Sequence, residues 1–491
     1  MDLWSRVLLL QALISAGTIL IGVAFLRLSL TTSVLAAVLV TPVPLFKVSP
    51  GAAGFIYVAD LLAVFWLVSR LLRTSQQSPG EPGRGLGALA FLLLVALPVV
   101  STAIGYVSNA EMRSIKPVLL SLFRGVAYYV VFSSLMRHAL RERNPERLLA
   151  LQCIAFGLVA CCGLAQYVAG IDLDLWNVVR EIKTRAYGTD FGGGFMGLYR
   201  GAVGGWSVAI LAIAPVVFMR IRGGTLLMPL IVAVVFASIL AVGSRQGAVI
   251  GAIALMVGLV ISMRCMPQSQ RLGHMVRQVG AVAFLALLLM AGWGVFSPYS
   301  FEKFVWRRFQ PLLDPTTAID MARRRSGAMP VAMANVLSDP HVFLIGTGYG
   351  LEANVGTMGP GPRLILVDGE FLNVWQLGGI VQLGAYLLFL LWLRLHLRRS
   401  NLNRDDDSGP IVSGAAIAAL YAGVLLLYGH FFLLNTHANQ APVAYWNWAL
   451  FGLAVGCCRP ARLAVQDTAV EPAYEQATGR GWVAGPTPQP L

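Results

Sequence analysis

Long apolar runs recur along the whole chain, and the short segments between them hold most of the charges. Most runs have about 18 to 25 residues, the length with which an α-helix crosses a hydrocarbon core of roughly 30 Å. The pattern predicts about thirteen transmembrane helices, within a range of about twelve to fourteen. The predicted spans are 7–26, 33–46, 52–70, 86–106, 115–136, 148–168, 203–219, 224–242, 246–263, 277–296, 369–395, 410–434 and 440–457.

The fold class that this pattern predicts is all-α. The strict alternation of membrane β-strands is absent, and continuous apolar segments satisfy their backbone hydrogen bonds within helices. The run at 33–46 is short and contains Pro42 and Pro44, which predict a hairpin or a broken helix. Composition agrees, since 57% of residues are hydrophobic, only 12% are charged and the mean hydropathy is +0.70. The chain is therefore predicted to be a polytopic integral membrane protein.

Basic residues cluster at every second connection between the predicted spans. Short cytoplasmic loops carry an excess of Lys and Arg, so these connections are predicted to face the cytoplasm. The net charge of +14 is then mainly a topology signal, and nucleic acid is not an expected partner. The clustered residues are Arg70, Arg73, Arg84, Arg137, Arg141, Arg143, Arg147, Arg220, Arg222, Arg264, Arg271, Arg277, Arg394, Arg398, Arg399 and Arg404.

Span positions and orientation together predict the domain organisation. Only two of the outward connections are long, and the C-terminal segment, with Pro486, Pro488 and Pro490, is predicted to be an unstructured extension. The predicted units are N-terminal transmembrane helices at 1–168, an outer loop at 169–202, central transmembrane helices at 203–296, a large periplasmic loop at 297–368, C-terminal transmembrane helices at 369–458 and a cytoplasmic tail at 459–491.

Arginines in the outward loops are the unexpected feature, because the positive-inside bias disfavours them there. Arginine presents a planar fork of donors that suits phosphate, so the loops predict an anionic ligand at the membrane surface. The alternative is that some of these side chains extend toward lipid headgroups. Arg245 sits between two spans in a very short turn, which favours a ligand-binding role for it. The outward arginines are Arg180, Arg185, Arg200, Arg245, Arg307, Arg308, Arg323, Arg324, Arg325 and Arg363.

Four segments of the chain resemble bacterial O-antigen ligases and Wzy-type polysaccharide polymerases. The segment "VGSRQGAVIGAIAL" is similar to the family's "SRG" turn and holds Arg245, and "LYRGAVGGWSVAILAIAPVV" holds Arg200 at an outer-loop position. The segment "RSGAMPVAMANVLSDPHVFLIGTGYG" is similar to the family's arginine, amphipathic helix, proline and "GxG" turn. There the matching residues are Arg325, Met329, Pro340, Gly346 and Gly348, with Met329 where the family usually has tryptophan.

The fourth segment, "VDGEFLNVWQLGGIVQLGAYLLFLLW", resembles the "HNxxL" opening of the span after the large loop. It departs from that pattern by carrying Asp368 and Gly369 where the ligases have His and Asn. The resemblance covers about Gly197 to Trp392. Within it, Met329, Met333, Val336 and Leu337 have helical spacing, which predicts a helix lying flat over the mouth of the bundle.

The resemblance implies a metal-independent glycosyltransferase of the bacterial inner membrane, with its site facing the periplasm and no cofactor. Its substrates would be an undecaprenyl-pyrophosphate-linked glycan and an acceptor glycan, both handled at the lipid bilayer. Arg200, Arg245 and Arg325 would bind the pyrophosphate and stabilise its departing charge. The acceptor hydroxyl needs a base, and Asp368 or Glu370 would serve where the ligases use histidine. The alternative for both acids is a helix-capping role.

The residue pattern leaves several functions open. The leading prediction is a polymerase that joins lipid-linked repeat units into exopolysaccharide or O-antigen, working with a flippase and a chain-length regulator. The runner-up is an O-antigen ligase that transfers a finished glycan to lipid A core or another acceptor. A polysaccharide-related transporter is the alternative of a different class, although no internal repeat is visible. A nonenzymatic scaffold would not need arginines gathered from separate loops.

Two ionisable residues lie inside predicted spans, Asp60 in the third and Arg124 in the fifth. A charge exposed to hydrocarbon is costly, so both side chains are predicted to face the interior of the bundle and to form an intramembrane pair. Histidines are scattered along the chain, and no metal site is predicted.

Overall fold

A computed structural model gives the structure of the protein. The described residues are 44–47, 55–57, 60, 63–64, 67–68, 84–108, 115–141, 145–169, 207–220, 224–242, 245–296, 310, 316, 328–349, 370–402, 414–434 and 443–458.

The described chain is almost entirely helical, as expected for an all-α membrane protein. We number the helices in chain order. They are α1 (Arg84–Phe91), a π-helical turn (Leu92–Ala96), α2 (Leu97–Ser108), α3 (Ile115–Arg141), α4 (Pro145–Ala169), α5 (Ser207–Val217), α6 (Gly224–Val242), α7 (Arg245–Arg264), α8 (Gln268–Phe296), α9 (Ala328–Ser338), α10 (Pro340–Ile345), α11 (Glu370–Leu402), α12 (Gly414–Leu434) and α13 (Val443–Cys457).

A small antiparallel sheet is the exception to the helical fold. Strand β1 (Pro44–Lys47) pairs with β2 (Phe55–Tyr57), with Phe46 opposite Ile56. The prediction that the span at 52–70 is helical from its start is therefore wrong for residues 55–57. Prolines and glycines between residues 42 and 54 disfavour a helix there, while aromatic and β-branched residues favour strands. Helical backbone is present at Asp60, Ala63, Val64, Leu67 and Val68.

Five helices of the described chain are long and apolar enough to cross a membrane. Their outward-facing side chains are also apolar, as on α8, where Leu272 and Phe284 are more than half exposed. Large exposed apolar surfaces of this kind suit hydrocarbon rather than water. The spanning segments are Gly85–Val107, Val118–Leu140, Gly247–Arg264, Gln268–Leu289 and Phe371–Arg399. Shorter apolar helical segments are Ser207–Val217, Leu227–Leu240 and Ala415–Leu426.

An aromatic cluster joins α3, α11 and α13 at the centre of the bundle. Phe389 of α11 packs on Trp448 and Phe451 of α13, with ring centroids 5.3 and 6.0 Å apart, and Phe132 of α3 packs edge-on against Trp448. Gly452 makes this close packing possible, because a Cβ there would lie 2.4 Å from the carbonyl oxygen of Phe132. The core is therefore built around α13, which contacts α3 along its whole length.

Contacts between the helices fix their directions. Helices α3 and α13 run parallel, since Tyr128 at the middle of α3 packs on Tyr445 at the start of α13, and Met136 lies beside Gly456 farther along both helices. Helix α11 runs the same way, since Phe389 contacts Trp448 and His396 lies near the carbonyl oxygen of Val455. We call the end of the bundle where these three helices begin the Tyr445 end, and the opposite end the Cys457 end.

Helices α4 and α6 run opposite to these three helices, and α7 runs in the same direction as they do. Helix α4 is antiparallel to α13, because Phe156 stacks on Trp446 and Glu146 lies near Cys457. Helix α6 is parallel to α4, as Gly157 faces Ile231 and the Ser238 hydroxyl donates to the Ala160 carbonyl. Helix α7 begins three residues after α6 ends, so α7 starts at the Tyr445 end.

Candidate functional site

A buried polar network lies near the Tyr445 end of the bundle, where Asp60 is held between two helices. Arg124 of α3 donates from Nε to Asp60 Oδ1 at 3.2 Å and from Nη2 to Oδ2 at 3.1 Å. The Tyr445 hydroxyl at the start of α13 donates to the same Oδ1 at 2.6 Å. The structure thus brings together the two ionisable residues that were predicted to pair.

All three members of this network are excluded from solvent and lipid. Asp60 is 1% exposed, Arg124 6% and Tyr445 4%. The two-pronged geometry suits the planar guanidinium, and the third hydrogen bond fills a further lone pair of the carboxylate. The ring of Tyr128, one turn after Arg124, packs edge-on against Tyr445 with centroids 4.8 Å apart. The network therefore ties α3, α13 and the helical segment at Asp60 into one unit.

The structure describes the backbone of two predicted site residues, Arg245 and Glu370. Arg245 is the first residue of α7, and Glu370 is the first residue of α11. Both helices begin at the Tyr445 end, and α12 packs against both of them. Arg200, Arg325 and Asp368 lie outside the described residues. The two positions that are described are thus brought to one end of the bundle.

Helix α11 is interrupted at Gly379, nine residues after Glu370. Gly379 has φ 70° and ψ −178°, which breaks the helix inside a segment of spanning length. We call Glu370–Gly378 the first part of α11. A Cβ on Gly379 would lie 2.2 Å from the carbonyl oxygen of Leu344 in α10, so glycine is required both for the backbone angle and for the close approach.

The turn Gly346–Gly348, which follows α10 and which we call the glycine turn, supplies hydrogen-bond donors to backbone carbonyls of α11 at this interruption. The amides of Thr347 and Gly348 donate to the carbonyls of Gln376 and Leu377 at 2.8 and 2.9 Å. The Thr347 hydroxyl adds a hydrogen bond to the Gln376 carbonyl at 3.0 Å. Gly346 and Gly348 have φ 82° and 89°, as expected for a "GxG" turn. These donors replace the helical amide donors that the two carbonyls of α11 lose because the helix is interrupted.

The same turn is attached to α2 on its other side. The amide of Tyr349 donates to the Thr102 hydroxyl at 2.9 Å. Gly105 lies so close that a Cβ there would approach the Thr347 carbonyl oxygen to 2.1 Å, and a Cβ on Gly348 would lie 2.8 Å from the Thr102 α-carbon. The residues that follow α10 are therefore wedged between α2 and the break in α11.

Pro98 lies two residues after the π-helical turn Leu92–Ala96. Proline has no amide hydrogen, so the carbonyl of Leu93, five residues earlier, lacks the donor that a π-helix would provide. Gln382 of α11 donates from Nε2 to this carbonyl at 3.2 Å. On the opposite side, Gly125 lets α3 approach, because a Cβ there would be 2.1 Å from the Leu94 carbonyl oxygen. The turn thus links the interrupted helix to the helix that carries Arg124.

Helices α9 and α10 pack on the first part of α11 rather than on the main core. Their contact forms a separate apolar cluster, in which Val336 and Val342 meet Leu372 and Trp375. The Trp375 indole also donates from Nε1 to the Phe343 carbonyl at 3.2 Å, and its ring packs edge-on against Phe343. The predicted helix between Arg325 and Gly346 is confirmed as α9, and α10 follows it after Asp339.

Sequence reasoning missed Tyr445, Gln382 and Thr347. Tyr445 and Asp60 are 385 residues apart, and nothing in the local pattern connects them. The glycine pair Gly378 and Gly379 inside an apolar run was the available signal for the interruption of α11. Within the described residues, no three His, Cys, Asp or Glu side chains are grouped as metal ligands would be.

No family model and no curated protein matches the chain. The resemblance to O-antigen ligases and Wzy-type polymerases therefore rests on the four segments quoted above.

Proposed function

We propose that the protein is a membrane polymerase that joins undecaprenyl-pyrophosphate-linked oligosaccharide repeat units into exopolysaccharide or O-antigen at the periplasmic face of a bacterial inner membrane. The observation that carries the proposal is that Arg245, at a family-like position, and Glu370, two residues after the position where the ligases have histidine, each begin a helix at the Tyr445 end. One would contribute to binding the leaving pyrophosphate and the other to accepting a proton from the attacking hydroxyl.

The position of Arg245 favours an anionic ligand. The first turn of a helix carries a partial positive charge from its free amides, so a basic side chain there costs stability, on the order of 0.3 to 1 kcal/mol, unless an anion is bound. The same amides and a guanidinium together form a suitable site for phosphate oxygens. In the proposed reaction Arg245 acts with Arg200 and Arg325 on the pyrophosphate.

The proposed reaction exchanges one glycosidic partner for another. The hydroxyl oxygen of the acceptor glycan attacks the anomeric carbon of the donor, and the bond from that carbon to the pyrophosphate oxygen breaks. The hydroxyl proton passes to Asp368 or Glu370. Undecaprenyl pyrophosphate leaves with the bonding electron pair, and its added negative charge is stabilised by the arginines. The reaction needs no metal in this scheme.

The distribution of basic residues supports the proposed orientation. Arg141, Arg264 and Arg399 lie at the ends of α3, α7 and α11, all at the Cys457 end. Under the positive-inside rule that end faces the cytoplasm, and the Tyr445 end faces the periplasm. Lipid-linked glycans that a flippase has delivered to the outer leaflet would then meet Arg245 and Glu370.

The two ends of α7 offer a matched pair of variants that tests the proposal in cells. Arg245→Ala is expected to abolish long surface glycan chains while single repeat units persist on a gel, at unchanged protein level. Arg264→Ala, at the other end of the same helix, is expected to leave chain lengths unchanged. Long chains that accumulate unattached on the lipid carrier would instead indicate the ligase. An unchanged glycan in Arg245→Ala would contradict the proposed site.

A transporter is the second candidate, because two structural observations favour it. Interrupted helices and buried ionisable residues are features of secondary transporters, and here α11 breaks at Gly379 while Asp60 pairs with Arg124 inside the bundle. Purified protein in vesicles separates the two functions. A transporter would move a lipid-linked repeat unit across the bilayer without lengthening it, whereas the polymerase would lengthen units already present on the outer side.

A further inference from the structure

The segment from Ala328 to Tyr349 belongs to what the sequence predicts as a large periplasmic loop. Its composition is unlike that of a loop in water. Asp339 is its only carboxylate, His341 is its only histidine, and it has no Lys or Arg. The carboxylate serves as a helix cap, since Asp339 accepts from the amides of His341 and Val342 at 2.9 and 3.5 Å. The single charge of the segment is thus held by backbone amides at the start of α10.

The depth of this segment follows from its contact with α2. The spanning segment that contains α2, Gly85–Val107, has 23 residues. Its length is about 35 Å, which exceeds the hydrocarbon thickness by about 5 Å. Thr102 is five residues from Val107, or about 8 Å along the axis. If the whole excess of about 5 Å projected from the hydrocarbon at the Val107 end, Thr102 would still lie inside the hydrocarbon, because it is about 8 Å from that end. Its hydroxyl accepts the amide of Tyr349, so the turn reaches the same depth.

The backbone of the turn meets the requirement for chain at that depth. Non-helical backbone inside a membrane is tolerated only where protein satisfies its polar groups. Every amide from Gly346 to Tyr349 donates a hydrogen bond, in order to the carbonyls of Val342, Gln376 and Leu377 and to the Thr102 hydroxyl. A turn in water would not need this complete set of protein partners.

The surface of α9 and α10 that faces away from α11 is apolar. Met333 is 47% exposed, Leu337 54% and Leu344 50%, whereas Ala332 and Val336 on the other face are buried. Phe371, at the start of a spanning segment of α11, is likewise 39% exposed. An aqueous helix would carry polar side chains on its free face.

We propose that α9, α10 and the glycine turn form a re-entrant segment that enters the outer leaflet from the Tyr445 end, with Met333, Leu337 and Leu344 in contact with the acyl chains of bilayer lipids. The turn at Gly346–Gly348 is its deepest point, wedged between α2 and the break in α11. The inference depends on the membrane location of the bundle and not on the proposed reaction, so either can fail without the other.

Water accessibility of introduced cysteines tests this proposal. Met333→Cys, Leu337→Cys and Leu344→Cys are made singly in the full chain, and the purified protein is placed in vesicles opened to both sides. A membrane-impermeant maleimide reacts only with thiols in contact with water, and the native chain gives the background from its own cysteines. All three positions are expected to show no labelling above that background, and to become labelled after denaturation in SDS.

Two matched positions calibrate the result. Leu388→Cys, on the exposed apolar face of α11, reports hydrocarbon and is expected to stay unlabelled. Pro267→Cys, exposed in the connection between the spanning segments of α7 and α8, reports water and is expected to be labelled. Labelling of the three tested positions at the level of Pro267→Cys would overturn the proposal. Oxidative cross-linking of any of them into a disulfide-linked dimer would also overturn it, because a second protein copy would then cover the surface in place of lipid.

Discussion

Removing Arg124 from the buried network is expected to destabilise the protein strongly. The Arg124→Met variant leaves the carboxylate of Asp60, which is 1% exposed, without the donors that now lie 3.2 and 3.1 Å from its oxygens. Only the Tyr445 hydroxyl, at 2.6 Å, would remain. Breaking a buried pair on one side typically costs about 3 to 5 kcal/mol, because the other charge stays buried. The Tyr445→Phe variant removes one hydrogen bond to a charged group and is expected to cost about 1.5 to 3 kcal/mol.

The free energy of unfolding, measured by titrating SDS into mixed micelles, checks both magnitudes. Arg394→Met, on the exposed surface of α11, is the control and is expected to change the free energy by no more than about 0.5 kcal/mol. A triple variant, Asp60→Leu with Arg124→Met and Tyr445→Phe, removes every polar partner together. Apolar replacement of a whole buried pair is often neutral, so the triple variant is expected to be more stable than Arg124→Met alone. A cost below about 1 kcal/mol for Arg124→Met, or a triple variant that merely adds the single costs, would refute the reasoning.

Three further substitutions test the polar contacts around the interrupted helix, each through the same free energy of unfolding. Gln382→Leu leaves the Leu93 carbonyl without its donor and is expected to cost about 1 to 3 kcal/mol; a cost near zero would show that the 3.2 Å contact contributes nothing. Gly379→Ala is expected to cost at least about 1 to 3 kcal/mol, because its φ is 70° and its Cβ would meet the Leu344 carbonyl. Gly384→Ala, with open space around its Cβ, should instead be neutral or stabilising, and equal effects at the two glycines would contradict the account. Asp339→Ala removes the cap of α10 and is expected to cost about 0.5 to 2 kcal/mol, while Asp339→Asn retains most of the stability because asparagine caps equally well.

The positions of the helices were largely predictable from the apolar runs. The span predicted at 224–242 coincides with α6, and the span predicted at 246–263 is α7 to within one residue at each end. The span predicted from 277 begins earlier, at Gln268, because its first turns are polar and carry no apolar signal. The apolar run at 52–70 was predicted to be a helix throughout, although residues 55–57 form a strand. Apolar content alone does not distinguish a short strand from a helix.

The partners of polar residues were predictable only in part. A charge in a span implies a buried partner on energetic grounds, so Asp60 and Arg124 could be paired from the sequence. Tyr445 could not be added, since a tyrosine near the end of a span is equally typical of a membrane interface. The interruption of α11 depends on amides from Thr347 and Gly348, about 30 residues earlier in the chain, and such a distant partner has no local pattern.

The most direct test of the central claim is a polymerisation assay with the purified protein. The protein is placed in vesicles with undecaprenyl-pyrophosphate-linked repeat units, with no other protein present, and the products are separated by chain length. Products of several joined repeats are expected with the native chain and with Arg264→Ala, and only single repeats with Arg245→Ala. Single repeats alone with the native chain, from lipid-linked units accessible at the Tyr445 end, would contradict the claim that the protein is a polymerase.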